Sequence, residues 1–168
     1  MQRIIIVSDT HRRLRNLVEA LSDEGPLDML IHLGDFEGDD EAIAQMCGCK
    51  LLMVPGNNDF FSAYPKEIET EIAGKKILLT HGHYYYVSLD YKTIEQEAAA
   101  RGFDIVMFGH THRPVIMPCD DVMLINPGSI SYPRQSDKMC TYVMLEIDDN
   151  DEFHFTLKSI NKFIINLL

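Results

Sequence analysis

The amino-acid sequence predicts an α/β fold, and three observations indicate it. Short apolar runs recur along the first two thirds of the chain, segments with helical spacing lie between them, and shorter strands follow residue 113. Continuous rather than alternating hydrophobicity is typical of strands that are covered on both faces. Strands that alternate with helices in this way are the pattern of an α/β protein.

The predicted elements follow one another in a regular order. Apolar runs predict five strands, at residues 4–8, 29–33, 51–55, 77–80 and 104–108. The predicted helices each end in glycine, which commonly stops a helix, and they span residues 12–25, 39–48 and 91–102. Shorter strands, which we expect to be antiparallel, are predicted at residues 115–118, 122–125, 139–147 and 152–159. The β-sheets are therefore expected to be mixed.

Composition limits the classes of function. The 168 residues have the length of one domain, so we expect residues 1–168 to form a single domain. A formal net charge of −11 would repel a long nucleic acid, and a small substrate is expected instead. Because no apolar run reaches the length of a membrane span, we expect no membrane contact and a cytoplasmic location. The apolar residues 161–168 are expected to pack against the body of the protein or against a partner subunit, as in a homodimer.

Polar clusters follow each of the first five predicted strands. They are Asp9-Thr10-His11, Gly34-Asp35, Gly56-Asn57, His81-Gly82-His83 and Gly109-His110-Thr111-His112. Each cluster alone could be a turn or a pair of exposed histidines. In α/β folds the ligand site lies outside the carboxyl ends of the strands, so five such clusters predict one convergent site. Two further histidines are expected to be structural, His154 in a hairpin and His32 within a strand, where it belongs to the core or supports a ligand.

The order and spacing of these clusters resemble a known family. D-x-H, G-D, G-N-x-D, H-G-H and G-H-T-H resemble the signature of the calcineurin-like metallophosphoesterases, over residues 4 to 130. The sequence Asn126-Pro127-Gly128-Ser129 resembles the small bacterial and archaeal phosphodiesterase branch of that family. The resemblance implies a four-layer α-β-β-α sandwich with two mixed β-sheets and a site for two metal ions.

The resemblance also implies which residues bind the metals. The first ion would be held by Asp9, His11, Asp35 and His112, and the second by Asp35, Asn57, His81 and His110. Asp35 would bridge the two ions. Imidazole nitrogens with carboxylate or amide oxygens, and no thiolate, suit divalent transition metals. We expect Mn²⁺, with Ni²⁺, Fe²⁺, Zn²⁺ and Co²⁺ as alternatives.

Two divalent ions roughly 3.5 to 4 Å apart bind a bridging hydroxide and clamp the phosphoryl oxygens for in-line attack. We therefore expect hydrolysis of a small phosphodiester, and of monoesters as a second substrate type, with the bridging Asp35 as a catalytic residue. Many members of the family have a histidine directly after the ligand asparagine, where it can protonate the leaving group. Here that catalytic position is Asn58, and an amide cannot act as a general acid. His83 is the candidate that could replace it.

Several neighbours of these motifs have two interpretations. Arg12, Arg13 and Arg113 could add positive charge to the site or could simply be solvated, and solvation is favoured for Arg13. The tyrosines at 84–86 could wall a substrate pocket or reflect strand propensity. Asp59 is expected to fix its loop or a histidine that supports the metal ligands.

A second class of function stays open, because some proteins with this fold have lost ligands and act as scaffolds. The alternative is thus a catalytically weak metal-binding scaffold or protein-interaction module. The intact set of seven ligand residues favours the enzyme.

Overall fold

The computed structural model of the protein describes residues 1–160. The expected packing of the apolar segment 161–168 lies outside the described residues. The described chain contains, in order, β1 (Gln2–Val7), α1 (Arg15–Glu24), β2 (Met29–His32), α2 (Asp40–Cys47), β3 (Lys50–Met53), β4 (Glu67–Ile72), β5 (Lys75–Thr80), a 3₁₀ turn (His83–Tyr85), α3 (Lys92–Ala100), β6 (Ile105–Met107), β7 (Pro114–Pro118), β8 (Met123–Pro127), β9 (Thr141–Ile147) and β10 (Phe153–Ser159).

The strands form two five-stranded sheets, and both are mixed. The first sheet has the order β10-β9-β1-β2-β3, in which β1, β2 and β3 are parallel and β9 is antiparallel to β1 and β10. The second has the order β4-β5-β6-β8-β7, in which β5, β6 and β8 are parallel and the two edge strands are antiparallel to their neighbours. Each sheet therefore directs the carboxyl ends of three parallel strands to one edge.

Three hydrophobic clusters arrange these elements in four layers. On β1, the side chains of Ile4 and Ile6 belong to a cluster that both sheets share, whereas Ile5 packs with residues of α1 and α2. The outer face of the second sheet packs on α3, where Ile94 and Ala98 are buried. Alternate residues of a buried strand thus serve two different cores, which explains why its sequence is continuously apolar. The predicted α-β-β-α sandwich is confirmed.

Some predicted elements were wrong in their bounds or direction. Strand β4 was not predicted, because four of the six residues of its sequence EIETEI are polar and it lies at a sheet edge. Helix α1 begins at Arg15 rather than at residue 12, because Arg12 has a positive φ of 61°. Strand β8 was expected to be antiparallel, but it pairs parallel with β6 as well as antiparallel with β7. That parallel pairing brings the loop after β8 to the same edge as the polar clusters.

Within residues 1–160, none of the helices has the length and apolar character that crossing a bilayer requires.

Candidate metal centre

The predicted ligands gather where the parallel strands of both sheets end. Asp9, Asp35 and Asn57 follow β1, β2 and β3 of the first sheet. His81 follows β5, and the His110-Thr111-His112 segment follows β6, in the second sheet. Carboxyl ends of parallel strands are the usual position of ligand sites in α/β folds. The structure therefore places all seven predicted ligands at one edge of the sandwich.

Five of these ligands have an unusual backbone conformation. The φ angles are 57° at Asp9, 46° at His11, 58° at Asp35, 68° at His110 and 56° at His112. Positive φ is uncommon in residues other than glycine, and such strain collects at functional sites, where the surrounding structure imposes it. The strands thus end in tight turns that aim these side chains at a common point.

Two glycines allow the ligand loops to approach one another. A Cβ atom added to Gly56 would lie 2.1 Å from Oδ1 of Asp35, and one added to Gly109 would lie 2.0 Å from Oγ of Ser8 and 2.9 Å from Oδ2 of Asp9. The distances to Oδ1 of Asp35 and to Oγ of Ser8 are far shorter than van der Waals contact. A side chain at either position would displace a predicted ligand.

The first predicted ligand set forms a compact group. Asp9, His11, Asp35 and His112 each offer one ligand atom, and these atoms all lie within 4.8 Å of one another. The Nε2 atom of His112 is 3.1 Å from Oδ1 of Asp9 and 3.1 Å from Nε2 of His11. Nε2 of His11 is 3.7 Å from Oδ2 of Asp35. Three of the four residues are buried, so water cannot readily replace a missing partner.

The hydrogen bonds of these histidines decide which ring nitrogens face the centre. Nδ1 of His11 donates to a carboxylate oxygen of Glu37 at 2.6 Å, and Nδ1 of His112 donates to the carbonyl of Tyr132 at 2.5 Å. In the neutral rings both Nε2 atoms are then unprotonated, so two lone pairs face each other. Among the described residues, Oδ1 of Asp9 is buried and has no hydrogen-bond partner. Facing lone pairs beside an unpartnered carboxylate oxygen fit a divalent cation.

The second predicted set surrounds His81. Its Nδ1 donates to the carbonyl of Leu33 at 2.6 Å, which leaves Nε2 at 3.2 Å from Oδ1 of Asn57 and 3.5 Å from Oδ2 of Asp35. The His110 ring lies edge-on to His81, with ring centroids 5.2 Å apart. This side is more open, because Asn57 is exposed and His110 is half-buried. Asp35 Oδ2 lies within 4 Å of Nε2 of both His11 and His81, the arrangement that a bridging ligand needs.

The electrostatic environment keeps the two carboxylates ionised. Burial alone would raise the pKa of Asp9, but the neighbouring imidazoles of His112 and His81 outweigh it, and the pKa is lowered. Burial acts in the same way on Asp35, whose pKa is nevertheless held well below its usual range by His81 and by two hydrogen bonds from Asn58. The site therefore presents two negative charges, and it is suited to cations.

Asn58 and Asp59 hold the ligand loops together. The Asn58 backbone N–H donates to Oδ1 of Asp35 at 2.9 Å, and its side-chain amide donates to Oδ2 at 2.8 Å. Asp59 accepts backbone N–H bonds from Asp35 at 2.8 Å, Glu37 at 2.6 Å and Gly56 at 2.7 Å. Asn58 thus orients the predicted bridging ligand, and Asp59 fixes the loop after β2 to the loop after β3. Asp59 contacts backbone rather than a histidine.

His83 lies beside the second ligand set. Its ring centroid is 5.2 Å from that of His81 and 6.0 Å from that of His110. Burial, together with the charges of these two histidines, lowers the pKa of His83 to about 4. Its Nδ1 is buried without a hydrogen-bond partner among the described residues. The proposed role of His83 as a proton donor stays a prediction.

The remaining polar residues that the sequence singled out have structural contacts. His32 is buried and accepts the N–H of Gly34, and burial lowers its pKa to about 4. His154 is exposed and pairs with Asp148 in the hairpin. The guanidinium of Arg13, for which solvation was expected, lies 4.1 Å from the ring centroid of Tyr132.

The tyrosines after His83 do not act alike. The hydroxyl of Tyr85 bonds to Glu67 and Arg101, so Tyr85 anchors its turn to β4 and to the residue that follows α3. Tyr84 and Tyr86 are exposed.

Sequence reasoning missed two supports of the ligands. Glu37, which holds His11, follows Asp35 by two residues and carried no recognisable signal. The Asn126-Pro127-Gly128-Ser129 segment was noted only as a resemblance, but it joins the ligand loops. Asn126 donates to the carbonyl of Gly109 at 2.8 Å, and the Ser129 hydroxyl donates to the carbonyl of Asp9 at 2.8 Å.

Comparisons with known proteins agree with the motifs. The model of the calcineurin-like phosphoesterase superfamily domain matches residues 2–150. A phosphodiesterase of Methanocaldococcus jannaschii is 32% identical over 148 residues, which cover 75% of this chain and 82% of the relative. The structure of a predicted phosphoesterase from Streptococcus pneumoniae is 31% identical and has a TM-score of 0.74, with 94% of this chain and 97% of that chain covered.

A solved structure of lower identity shares the fold alone. Vps29 from Entamoeba histolytica, in a complex with Zn²⁺, has a TM-score of 0.72 at 18% identity and covers 95% of this chain and 100% of its own. The family model, in contrast, spans most of the chain and includes every predicted ligand. The chain therefore belongs to the calcineurin-like phosphoesterase superfamily.

Proposed function

We propose that this protein is a phosphodiesterase that uses two divalent metal ions to hydrolyse a small phosphodiester. The observation that carries the proposal is the pair of facing Nε2 atoms of His11 and His112, 3.1 Å apart, beside the buried and unpartnered Oδ1 of Asp9. This arrangement is electrostatically unfavourable unless a cation lies among the three groups. Membership of the phosphoesterase superfamily supports the reaction class.

The residues of the centre fit two adjacent ions. We propose that Asp9, His11, Asp35 and His112 hold one ion. The other is held by Asp35, Asn57, His81 and His110. Divalent ions bound there would lower the pKa of coordinated water and neutralise phosphoryl oxygens, and Mn²⁺ is the ion that we expect. Two ions of charge +2 exceed the charge of the two carboxylates, so the centre would attract a phosphate group within an acidic protein.

The chain's own residues have distinct tasks in this proposal. Glu37 and the carbonyl of Tyr132 orient His11 and His112 through their Nδ1 atoms. Asn58 holds both oxygens of Asp35 and so fixes the carboxylate between the two ligand sets. Asn58 thus serves to orient the Asp35 carboxylate and does not protonate the leaving group. The rate at which the alcohol departs then depends on the acidity of that alcohol.

The singly charged phosphodiester suits such a centre better than a monoester dianion, because less charge must be neutralised. Bis(p-nitrophenyl) phosphate and p-nitrophenyl phosphate would test this preference, with Mn²⁺ supplied and with a chelator. We expect cleavage of the diester with Mn²⁺ and none with the chelator. Wild type without diesterase activity under any divalent metal would refute the proposal.

A pair of histidine variants tests the assignment of the ligands. His112→Ala removes a buried ligand, whereas the matched control His154→Ala removes an exposed histidine of the β9–β10 hairpin. We expect His112→Ala to lose most activity and to bind fewer Mn²⁺ ions in calorimetric titration. His154→Ala should retain activity. The scaffold alternative predicts instead that wild type binds metal but does not turn over, so the same measurements separate the two classes.

The cytoplasmic location and a homodimer stay predictions, and gel filtration with light scattering checks the latter.

A further inference from the structure

A cleft of about 730 Å³ opens beside the first ligand set. His11 and His112 line it, and the loop after β8 lines it with Tyr132, Arg134 and Lys138. We call this space the basic cleft. Its volume lies within the range of roughly 300 to 1,000 Å³ that is typical of small-molecule sites. It is therefore large enough for a substrate group beyond the phosphate that the metal centre would hold.

The loop that carries the two cations is fixed to the metal ligands. The backbone N–H of Arg134 donates to the carbonyl of His112 at 3.0 Å, and Nδ1 of His112 donates to the carbonyl of Tyr132 at 2.5 Å. The Tyr132 ring also packs edge-on against His11, with ring centroids 5.4 Å apart. The backbone positions of residues 132 and 134 are thus set by the ligand loops themselves. The basic cleft and the metal centre form one continuous site.

Both cations of the cleft are uncommitted. Within residues 1–160, the side chains of Arg134 and Lys138 form no ion pair and no hydrogen bond, whereas Arg3 and Arg101 are each paired with two or more glutamates. Glu37 also lines the cleft, but its carboxylate accepts the hydrogen bond from His11. The two side chains are therefore free to bind an anion beside the metal centre, in a chain whose formal net charge is −11.

On the basis of the proposed phosphodiesterase activity, we infer that the basic cleft binds a second phosphate group of the substrate. The substrate class is then small phosphodiesters that carry an additional phosphate, as a nucleotide with a 3′-phosphate does. The metal ions would neutralise the scissile phosphate, and the second phosphate would need its own cations. The planar guanidinium of Arg134 can form two parallel hydrogen bonds to phosphate oxygens, and Lys138 adds a point charge.

A matched pair of substrates tests the inference. The p-nitrophenyl ester of thymidine 5′-phosphate and the same ester with a 3′-phosphate differ only in the group that the cleft would bind. We expect wild type with Mn²⁺ to show a kcat/KM about tenfold higher for the 3′-phosphorylated ester, the size of one charge-assisted contact. Arg134→Gln should lower kcat/KM for that ester by about tenfold more than for the plain ester.

The matched control is Lys50→Gln, which removes an exposed lysine at the first residue of β3, at the opposite end of the strand from the metal centre. It should leave the preference of wild type unchanged. Binding provides a readout that does not depend on turnover. Titration of chelator-treated protein with thymidine 3′,5′-bisphosphate should show weaker binding for Arg134→Gln and for Lys138→Gln than for Lys50→Gln, and the difference should shrink with added salt.

Two results would overturn the inference. One is the absence of a preference for the 3′-phosphorylated ester in wild type. The other is an equal loss on both esters in Arg134→Gln, which would show that Arg134 serves the scissile phosphate. Failure of the proposed function has a different signature, since neither ester would then be cleaved, while binding of the bisphosphate to metal-free protein would still report on the basic cleft. Circular dichroism of each variant confirms that it is folded.

Discussion

Replacing Asp59 with asparagine tests how the two ligand loops of the first sheet are held together. The Asp59 carboxylate accepts short hydrogen bonds from the backbone N–H groups of Asp35, Glu37 and Gly56. An asparagine has the same shape but only one acceptor oxygen, and its NH₂ group must face at least one of these N–H donors. The variant therefore turns an attractive contact into a donor–donor contact without opening a cavity.

The magnitude follows from these contacts. Loss of one hydrogen bond to a charged acceptor costs about 2 kcal/mol, and conversion of the other two to neutral bonds costs about 1 kcal/mol each. Part of this loss is offset, because burial, with a smaller contribution from the nearby charge of Asp35, raises the pKa of Asp59 despite its backbone hydrogen bonds. Removing the charge of Asp59 offsets part of the loss, so we expect the free energy of unfolding to fall by about 2 kcal/mol.

Urea unfolding of chelator-treated protein measures the stability, and calorimetric titration with Mn²⁺ measures the affinity. Groups that orient metal ligands typically contribute about 10- to 100-fold to affinity, and we expect a loss in that range. Asp90→Asn is the matched control, because Asp90 is exposed and accepts one backbone N–H, from Lys92 at 2.9 Å. If Asp59→Asn stays within about 0.5 kcal/mol of wild type, as ordinary surface substitutions do, and binds Mn²⁺ normally, the reasoning is refuted.

Three further predictions concern the centre and the stability of the fold. Asp35→Asn should lose most activity and lower the number of bound Mn²⁺ ions, because the variant removes the charge that both ligand sets share; near-normal turnover at saturating Mn²⁺ would contradict this. Because Asn58 cannot donate a proton to a leaving group, wild-type rates for diesters of graded leaving-group acidity should fall steeply from phenols to alcohols. A flat dependence would mean that another group supplies the proton. Glu24, whose side chain is 5% exposed, accepts hydrogen bonds from Lys158 and Tyr142, and these contacts outweigh burial and lower its pKa below 4.5. The stability that Glu24 contributes is therefore fully present above its ordinary pKa of 4.5 and is lost as the pH falls through the lower pKa of the folded state. Between neutral and acidic pH, the free energy of unfolding should therefore fall more for wild type than for Glu24→Gln.

The positions of the site residues could be read from the sequence because local and global signals coincide at strand ends. An apolar run identifies a buried strand, and the polar residue that follows it must lie where the strand leaves the core. Asp9, Asp35 and His81 each satisfy this rule, so their convergence required parallel strands within each sheet and the same orientation of the two packed sheets. The cover on both faces of a strand such as β1 was expected for a similar reason, whereas the four layers were expected from the resemblance to the family.

The direction of the strands after residue 113 was harder to predict from the sequence. Short strands separated by turn residues are typical of antiparallel pairs, and β7 and β8 do pair in that way. The sequence around β8 contains no sign that it also pairs parallel with β6. Pairing partners depend on contacts between residues far apart in the chain, and a period of two in hydrophobicity is the same for either direction.

The sequence by itself determined which donor atoms lie at the strand ends, because the types and spacing of Asp9, His11, Asp35, His110 and His112 specify nitrogen and oxygen donors there. Only the tertiary structure decided how those donors are oriented and what lies beside them. It assigned Asn58 and Asp59 to holding the ligand loops, and it brought the loop after β8 to the metal centre. Hydrogen-bond partners such as Glu37 and Tyr132 are chosen by distances between separate loops, and a one-dimensional pattern contains no information on those distances until the strands are paired.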